Sequence, residues 1–380
     1  MASNMPGALD EALLRPGRID RIYKVGYPSK NGRIRTYQGY FDKVAHELTP
    51  ADLDKLATIT PYATGATIKD LVNESLIIAI RAGHDRILWE DVVKAKHLKD
   101  LGPPEDVEYI ERERHAVAVH EACHAVAAVR VQQHLEIDIA TIEKGGTYLG
   151  KVASISPEDQ FTMWRSEYEA DVMVSLASLA GERLFFAGDS SSGVSGDLES
   201  ATTIAALMEG YWGMGSTISS HGVTQRVGIG GGGRPGERND GDDKKLLQGA
   251  LGTRIEDNLA RLLERTEALL KVNRREVLAV AHALERHKTI TGDDVKAVVE
   301  GRPGPLVDGT VYAHPGFLPA AEAYHAAVVE AHDAHSKMQI VLPAPSTWAP
   351  PPPPQVLEAA VIWSNGDGAA VAGDADVSSE

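Results

Sequence analysis

The tightest constraint in the chain is five residues long: His120-Glu121-Ala122-Cys123-His124. It lies in Val107–Arg130, a stretch rich in Ala and Val with a helical pattern. On a helix, residues i and i+4 differ by about 40° of rotation and about 6 Å of rise. Both imidazoles can then face one point, while Glu121 takes a neighbouring direction. Zinc accepts neutral imidazole nitrogens and keeps one position open for water in catalytic sites. Binding lowers the pKa of that water to about 7, and an adjacent carboxylate can take its proton. The Ala-rich flanks describe a buried helix whose polar groups need partners. The pattern therefore points to a zinc hydrolase with His120 and His124 as ligands and Glu121 as general base.

Two histidines leave zinc short of a protein ligand. The carboxylates downstream are Glu167, Glu169, Asp171, Glu182, Asp189, Asp197 and Glu199. The first three open a helix whose stripe (Val172, Leu176, Leu179, Leu184) is expected to face the core, with the acids outside. Asp189 sits in a Gly/Ser-rich loop. Asp197 opens a helix with Ala201, Ala205, Met208 and Trp212 on its expected buried face, and Ser195 is a natural cap before it. A carboxylate there serves equally well as a rigid ligand or as a helix-end stabiliser. The residues alone leave both readings open.

The expected fold class is mainly α with a small sheet. Helical stripes run through Thr67–Ala82 (Ile68, Leu71, Val72, Leu76, Ala79, Ile80) and Thr253–Val272. Ile137, Ile139 and Thr141, then Val152 and Ile155, read as two short strands around Gly145–Gly146. The second is a candidate edge for pairing with an extended peptide. Pro103–Pro104 marks a linker. Residues 301–380 hold 11 of the 20 prolines and only two basic residues, so this segment is expected to be largely disordered, with one short helix at Ala320–His335. His325, His332 and His335 are read as the polar face of that helix. The Gly-rich run Gly228–Gly233 is read as a loop, since Arg234-Pro235-Gly236 cannot open the helix a dinucleotide site needs.

Composition excludes some classes. With Lys plus Arg at 38 and Asp plus Glu at 54, a net charge of −16 argues against a nucleic-acid binder held by phosphates. A single cysteine, Cys123, excludes an internal disulfide or a Cys-rich zinc module. No apolar run reaches the roughly 18 residues of a membrane span, and Met1–Leu14 lacks the pattern of a signal peptide. The expected location is the cytoplasm, or the cytoplasmic face of a membrane if an anchor precedes this chain.

A longer pattern frames the motif. The run from Ser3 to Arg21, with Asn4, Pro6-Gly7 and Arg15-Pro16-Gly17-Arg18, resembles the second region of homology of AAA ATPases. A helical segment and then the His-Glu-x-x-His helix follow it. Together they resemble the FtsH family of ATP-dependent zinc metalloproteases, and Gly193–Thr202 resembles the family segment that carries the third zinc ligand. The resemblance implies a remnant AAA core at residues 1–28, a lid at 29–102, a peptidase domain at 103–300 and a tail at 301–380. It implies Asn4 as a sensor for the attacking water on ATP, and Arg15 and Arg18 as arginine fingers toward a neighbouring subunit. Gly65 and Ala66 would approach the adenine. It tips Asp197 toward the metal and implies one Zn²⁺ per chain, a homo-hexamer and unfolded protein substrates. ATP and Mg²⁺ would be bound only with a complete AAA core, because no Gly-x-x-x-x-Gly-Lys-Ser/Thr loop occurs in this chain. Cys123 stands where the family usually has glycine and reads as a small buried hydrophobe, the alternative being a thiolate near the ligand face that crowds or binds the metal. The alternatives are an inactive assembly or regulatory subunit, and a soluble zinc peptidase that no longer uses ATP.

Overall fold

The computed structural model describes residues 23, 25–103, 105, 109–146, 148–157, 160, 162–218 and 250–348. Asn4, Arg15, Arg18, Gly228–Gly233 and Pro350–Pro354 lie outside the described residues. The described chain is mainly helical, with one small sheet.

Helices α1 (Lys30–Phe41), α2 (Pro50–Ile59), α3 (Gly65–Ala82) and α4 (Trp89–Leu101) enclose a core of their own around Tyr37, Phe41, Leu56, Ile68 and Ile87. Thr49 and Thr64 cap α2 and α3 through reciprocal bonds with Asp52 and Thr67, satisfying backbone N–H groups that a helix start leaves free. Gly83, at φ +77°, ends α3 in a conformation that costs glycine no side-chain clash. The α3 stripe holds at Ile68, Leu71, Val72 and Ala79, but Ile80 is exposed. At 100° per residue it stands about 120° from Ile68, while Ser75 falls back on the buried face.

The second core is built around α5 (Glu111–Val131), whose Ala118, Val119, Ala122 and Ala125–Ala127 are fully buried. Small side chains let α6 (Arg165–Phe185), α9 (Arg274–His287) and α11 (Phe317–Asp333) pack against it. Helices α7 (Ser195–Gly210) and α8 (Ala250–Val272) extend this layer through Val172, Leu176, Ala201 and Leu262. The sheet has the order β2-β1-β3, with β1 (Glu136–Thr141) pairing antiparallel to both β2 (Lys151–Ile155) and β3 (Thr289–Thr291). Both expected strands form; β3 is too short to have shown a pattern. Gly292, opening α10 (Gly292–Glu300), lies so close to the Ile137 carbonyl that a Cβ would overlap it at 1.7 Å. The two cores meet where the buried Lys96 of α4 bonds Asp100 at 2.7 Å and also pairs with Asp138 of β1.

Order continues past Gly301, where the composition had led to an expectation of disorder. A 3-10 turn (Gly309–Ala313), α11 and a second turn (Pro345–Thr347) lead to a buried Trp348. Phe317, Ala321, Tyr324, Val328 and Ala331 recur at four, three, four and three residues, and all are buried. Average composition hides this spacing. His325, expected on a solvated face, is 4% exposed. Trp348 packs on His282 and Phe317 and donates from Nε1 to the Val311 carbonyl at 2.9 Å. Phe317→Ala is expected to lower the stability of the whole second core by about 3–5 kcal/mol, read from the urea midpoint. A separate, unshifted transition for α5 would show that α11 is a loose appendage.

Candidate metal centre

Helix α5 presents His120 and His124 on one face, with ring centroids 5.0 Å apart. Each Nδ1 is already engaged. That of His120 donates to Glu182 Oε1 of α6 at 2.8 Å, and that of His124 donates to the Val174 carbonyl of α6 at 2.7 Å. These acceptors fix the ring orientation and leave both Nε2 atoms pointing the same way. They meet Asp197 Oδ2, at 3.3 Å from His120 Nε2 and 3.2 Å from His124 Nε2.

Asp197 reaches this point from the first turn of α7. Ser195 is the first residue of that helix rather than its cap; the cap position is Val194, at the end of the 3-10 turn Ser192–Val194, with no side-chain cap bond. The Asp197 carboxylate is occupied elsewhere, by both imidazoles and by Ser178 Oγ, which donates at 2.7 Å. Trp212, expected on the buried face of α7, is 40% exposed and stacks on Tyr168.

Two ring nitrogens with their other nitrogens protonated, aimed at one carboxylate oxygen, would set lone pairs against an anion. A positive charge must lie among them, either a proton or a metal cation. With a proton in that role, burial opposes the charge on His120, but the bonds to Asp197 and Glu182 prevail and push its pKa up to about 10. Burial likewise acts against ionised Asp197, yet the His120 and His124 bonds hold it well below the usual carboxylate range. The three donor atoms lie within 4.8 Å of one another. Two imidazoles and one carboxylate form a donor set that suits zinc and leaves room for a further ligand.

Glu121 lines the same cleft, a cavity of about 1010 Å³ between α5, β2 and loop residues that include Tyr148, Gly150, Ser191 and Gly193. Its side chain is buried, and burial raises its pKa despite the charges of His124 and His120 and a hydrogen bond from the Val152 backbone. Gly150 presses against it, since a Cβ there would lie 2.6 Å from Glu121 Oε1.

Residues 108–298 match the model of peptidase family M41, more than half of the chain. The chain belongs to peptidase family M41. Among curated relatives, the ATP-dependent zinc metalloprotease FtsH 2 of Symbiobacterium thermophilum is 32% identical over 301 residues, 78% of this chain and 49% of the relative. The ATP-dependent zinc metalloprotease YME1L of Drosophila melanogaster is 30% identical over 304 residues, 78% of this chain and 39% of the relative. The ATP-dependent zinc metalloprotease FtsH of Neorickettsia risticii is 29% identical, covering 80% and 46%. The chain thus spans about half the length of these relatives or less. The matches bear out the FtsH-family resemblance of the sequence.

Within this M41 domain the expected trio His120, His124 and Asp197 comes together, with Glu121 beside it. Three of the other carboxylates have different partners. Glu169 pairs with Arg165, Arg261 and Arg265, and Asp171 accepts from Gln132 and His134. Glu182 does not join the trio; it holds His120 from behind and accepts from Ser191 Oγ at 2.9 Å. That role escaped the sequence, though a glutamate following Leu179-Ala180-Gly181 inside an apolar helix signals a buried carboxylate in need of donors. Gly65 and Ala66 form the first turn of α3, far along the chain from this site.

Cys123 points away from the cleft. It is fully buried, and its Sγ would lie 2.2 Å from a Cβ at Gly181. Burial pushes its pKa far up, which keeps it a thiol. Gly181→Ala is expected to destabilise the domain by about 1–3 kcal/mol through overpacking. Adding Cys123→Ala should restore most of that loss, read as coupling in a denaturation double-mutant cycle. Additive effects would place the two residues out of contact.

Proposed function

We propose that this chain is the zinc-dependent endopeptidase part of an ATP-dependent protein-degrading machine, hydrolysing peptide bonds of unfolded polypeptides. The observation that carries this reading is the convergence of His120 Nε2, His124 Nε2 and Asp197 Oδ2 beside a buried glutamate. His120, His124 and Asp197 are the metal ligands in this reading, and Glu121 is the general base. The names of the M41 relatives, ATP-dependent zinc metalloproteases, favour zinc as the ion and peptide hydrolysis as the chemistry.

Bound zinc supplies a Lewis acid and an activated water at neutral pH. The protein's residues do the rest. Glu182 and the Val174 carbonyl hold the two rings by Nδ1, so that Nε2 of each would be the atom offered to a bound ion. Glu121, with its proton affinity raised by burial, accepts a proton from the nucleophilic water and returns it to the leaving amine. Gly150 and the Val152 N–H restrict that carboxylate to one side of the cleft. The outer edge of β2, unpaired among the described residues, offers backbone groups to an extended substrate strand. Val152 and Ser154 of that strand line the cleft.

The remaining assignments follow the FtsH-family resemblance. Residues 29–102, containing α1–α4, are read as the AAA lid with Gly65 and Ala66 near the adenine, and residues 103–300 as the peptidase domain. Asn4, Arg15 and Arg18 are read as the sensor and arginine fingers at subunit boundaries of a hexamer. Its location is read as the cytoplasm or the cytoplasmic face of a membrane; no described helix is long and apolar enough to cross one.

Glu121→Gln is expected to bind zinc as the wild type does while lowering hydrolysis of an unfolded reporter protein by at least about 100-fold. Wild-type turnover by this variant would refute Glu121 as the base. Asp197→Ala should strip zinc from the purified chain, as measured by metal analysis after dialysis, whereas Asp189→Ala should not. Equal zinc content in both variants would remove Asp197 from the ligand set.

A further inference from the structure

Behind the metal helix runs a second, wholly buried polar chain. His115 Nδ1 meets Glu285 Oε1 of α9 at 2.6 Å, and His115 Nε2 meets His325 Nδ1 of α11 at 3.0 Å. His325 Nε2 then meets the Phe185 carbonyl, at the end of α6, at 3.0 Å. His115 and His325 are 2% and 4% exposed. Tyr324 donates to Glu285 Oε2 at 2.9 Å, and Arg114 lies 3.5 Å from the same oxygen. Arg274 and Glu322, bonded to each other, face His325 from α9 and α11.

The ends of this chain fix its protons. The Phe185 carbonyl can only accept, and the ionised Glu285, held acidic by His115 and Arg114 against its burial, can only accept. Each end bond therefore takes its hydrogen from a ring nitrogen, and the central bond needs one more. Three N–H hydrogens must sit on two rings, whereas two neutral imidazoles carry two. The pair holds one positive charge, balanced by Glu285. Glu285 Oε1 lies 2.6 Å from His115 Nδ1, which places the charge on the ring beside the carboxylate. Burial and that neighbour push the pKa of His325 down to about 4, in keeping with a neutral Nε2–H donor.

The far end of the chain reaches the metal centre. The carbonyl that His325 grips belongs to the last turn of α6, where Glu182 stands one turn earlier and bonds His120. The M41 match ends at residue 298, so His325 comes from chain beyond it. We infer that His325 is a positioning residue for the ligand His120, acting from the C-terminal helix α11 through the Phe185 carbonyl and Glu182, and locked in place by an imidazolium at His115. The inference rests on the zinc reading above.

Two conservative variants of the full chain separate its bonds. In His325→Gln the amide nitrogen falls near the position of Nε2 and keeps the donation to Phe185. In His325→Asn it falls near Nδ1 and loses that donation. Zinc affinity, measured by competition with a chelator, is expected to fall about tenfold for His325→Asn and to stay within about twofold for His325→Gln. Val328→Ala, which trims α11 without touching the polar chain, should lower stability and leave zinc affinity alone. The ¹⁵N spectrum of the wild type at neutral pH should show three protonated nitrogens on His115 and His325 together. Wild-type affinity in the Asn variant, an equal loss in the Gln variant, or two protonated nitrogens would each overturn the inference. A wild-type chain that takes up no zinc would instead overturn the metal reading on which it rests.

Discussion

Two imidazole nitrogens and a carboxylate oxygen brought to one point cannot rest there without a positive charge, and most of the second core serves to bring them there. The histidines come from α5, their Nδ1 acceptors from α6 and the carboxylate from α7. No single helix could do this. A histidine on an isolated helix turns freely about its side-chain bonds; here the Val174 carbonyl and Glu182 select one tautomer and one orientation for each ring. Because these acceptors belong to one rigid helix, the spacing of the two Nε2 atoms is set by how α6 packs on α5.

That packing is set by small residues. Ala118, Ala122, Ala125, Ala127 and Cys123 line α5, and Gly181 stands opposite Cys123 on α6. The larger side chain sits at 123 and Gly181 leaves room for it across the interface. The cleft side of α5 is thereby insulated from its core side: Glu121 and the histidines face the cavity while the thiol, one helical turn away from His120, never reaches it.

The site was legible in the sequence because its spacing is local. His120, Glu121 and His124 are fixed relative to one another by helix geometry alone, so a linear pattern carries three-dimensional information. Asp197 is 73 residues from His124, and residue types alone left capping and ligation balanced; the structure shows its carboxylate bonded across to the rings. The Glu182 contact was hidden because it depends on how two helices face each other. The order of residues 301–348 was hidden differently. Composition averaged a Pro-rich, acidic segment together with a regular apolar stripe, and the average obscured Phe317, Tyr324 and Val328. His325 looked solvated for the same reason, since its partners His115 and Phe185 lie on two other helices, α5 and α6.

The central strand has a consequence for how such a chain comes to be folded. On one side β1 pairs with β2 within a short hairpin, as Thr141 faces Lys151; on the other it pairs with β3, as Ile139 faces Thr291. Closing the first loop takes little chain entropy, and closing the second waits for everything between. During synthesis the hairpin and helices α5–α7 emerge before α9 and β3, so all the residues of the three converging side chains are made by then. The open edge of β1 then remains a templating edge until β3 arrives, exposed to any other strand that reaches it first. Gly292, fitted against the Ile137 carbonyl, marks where that late closure is completed.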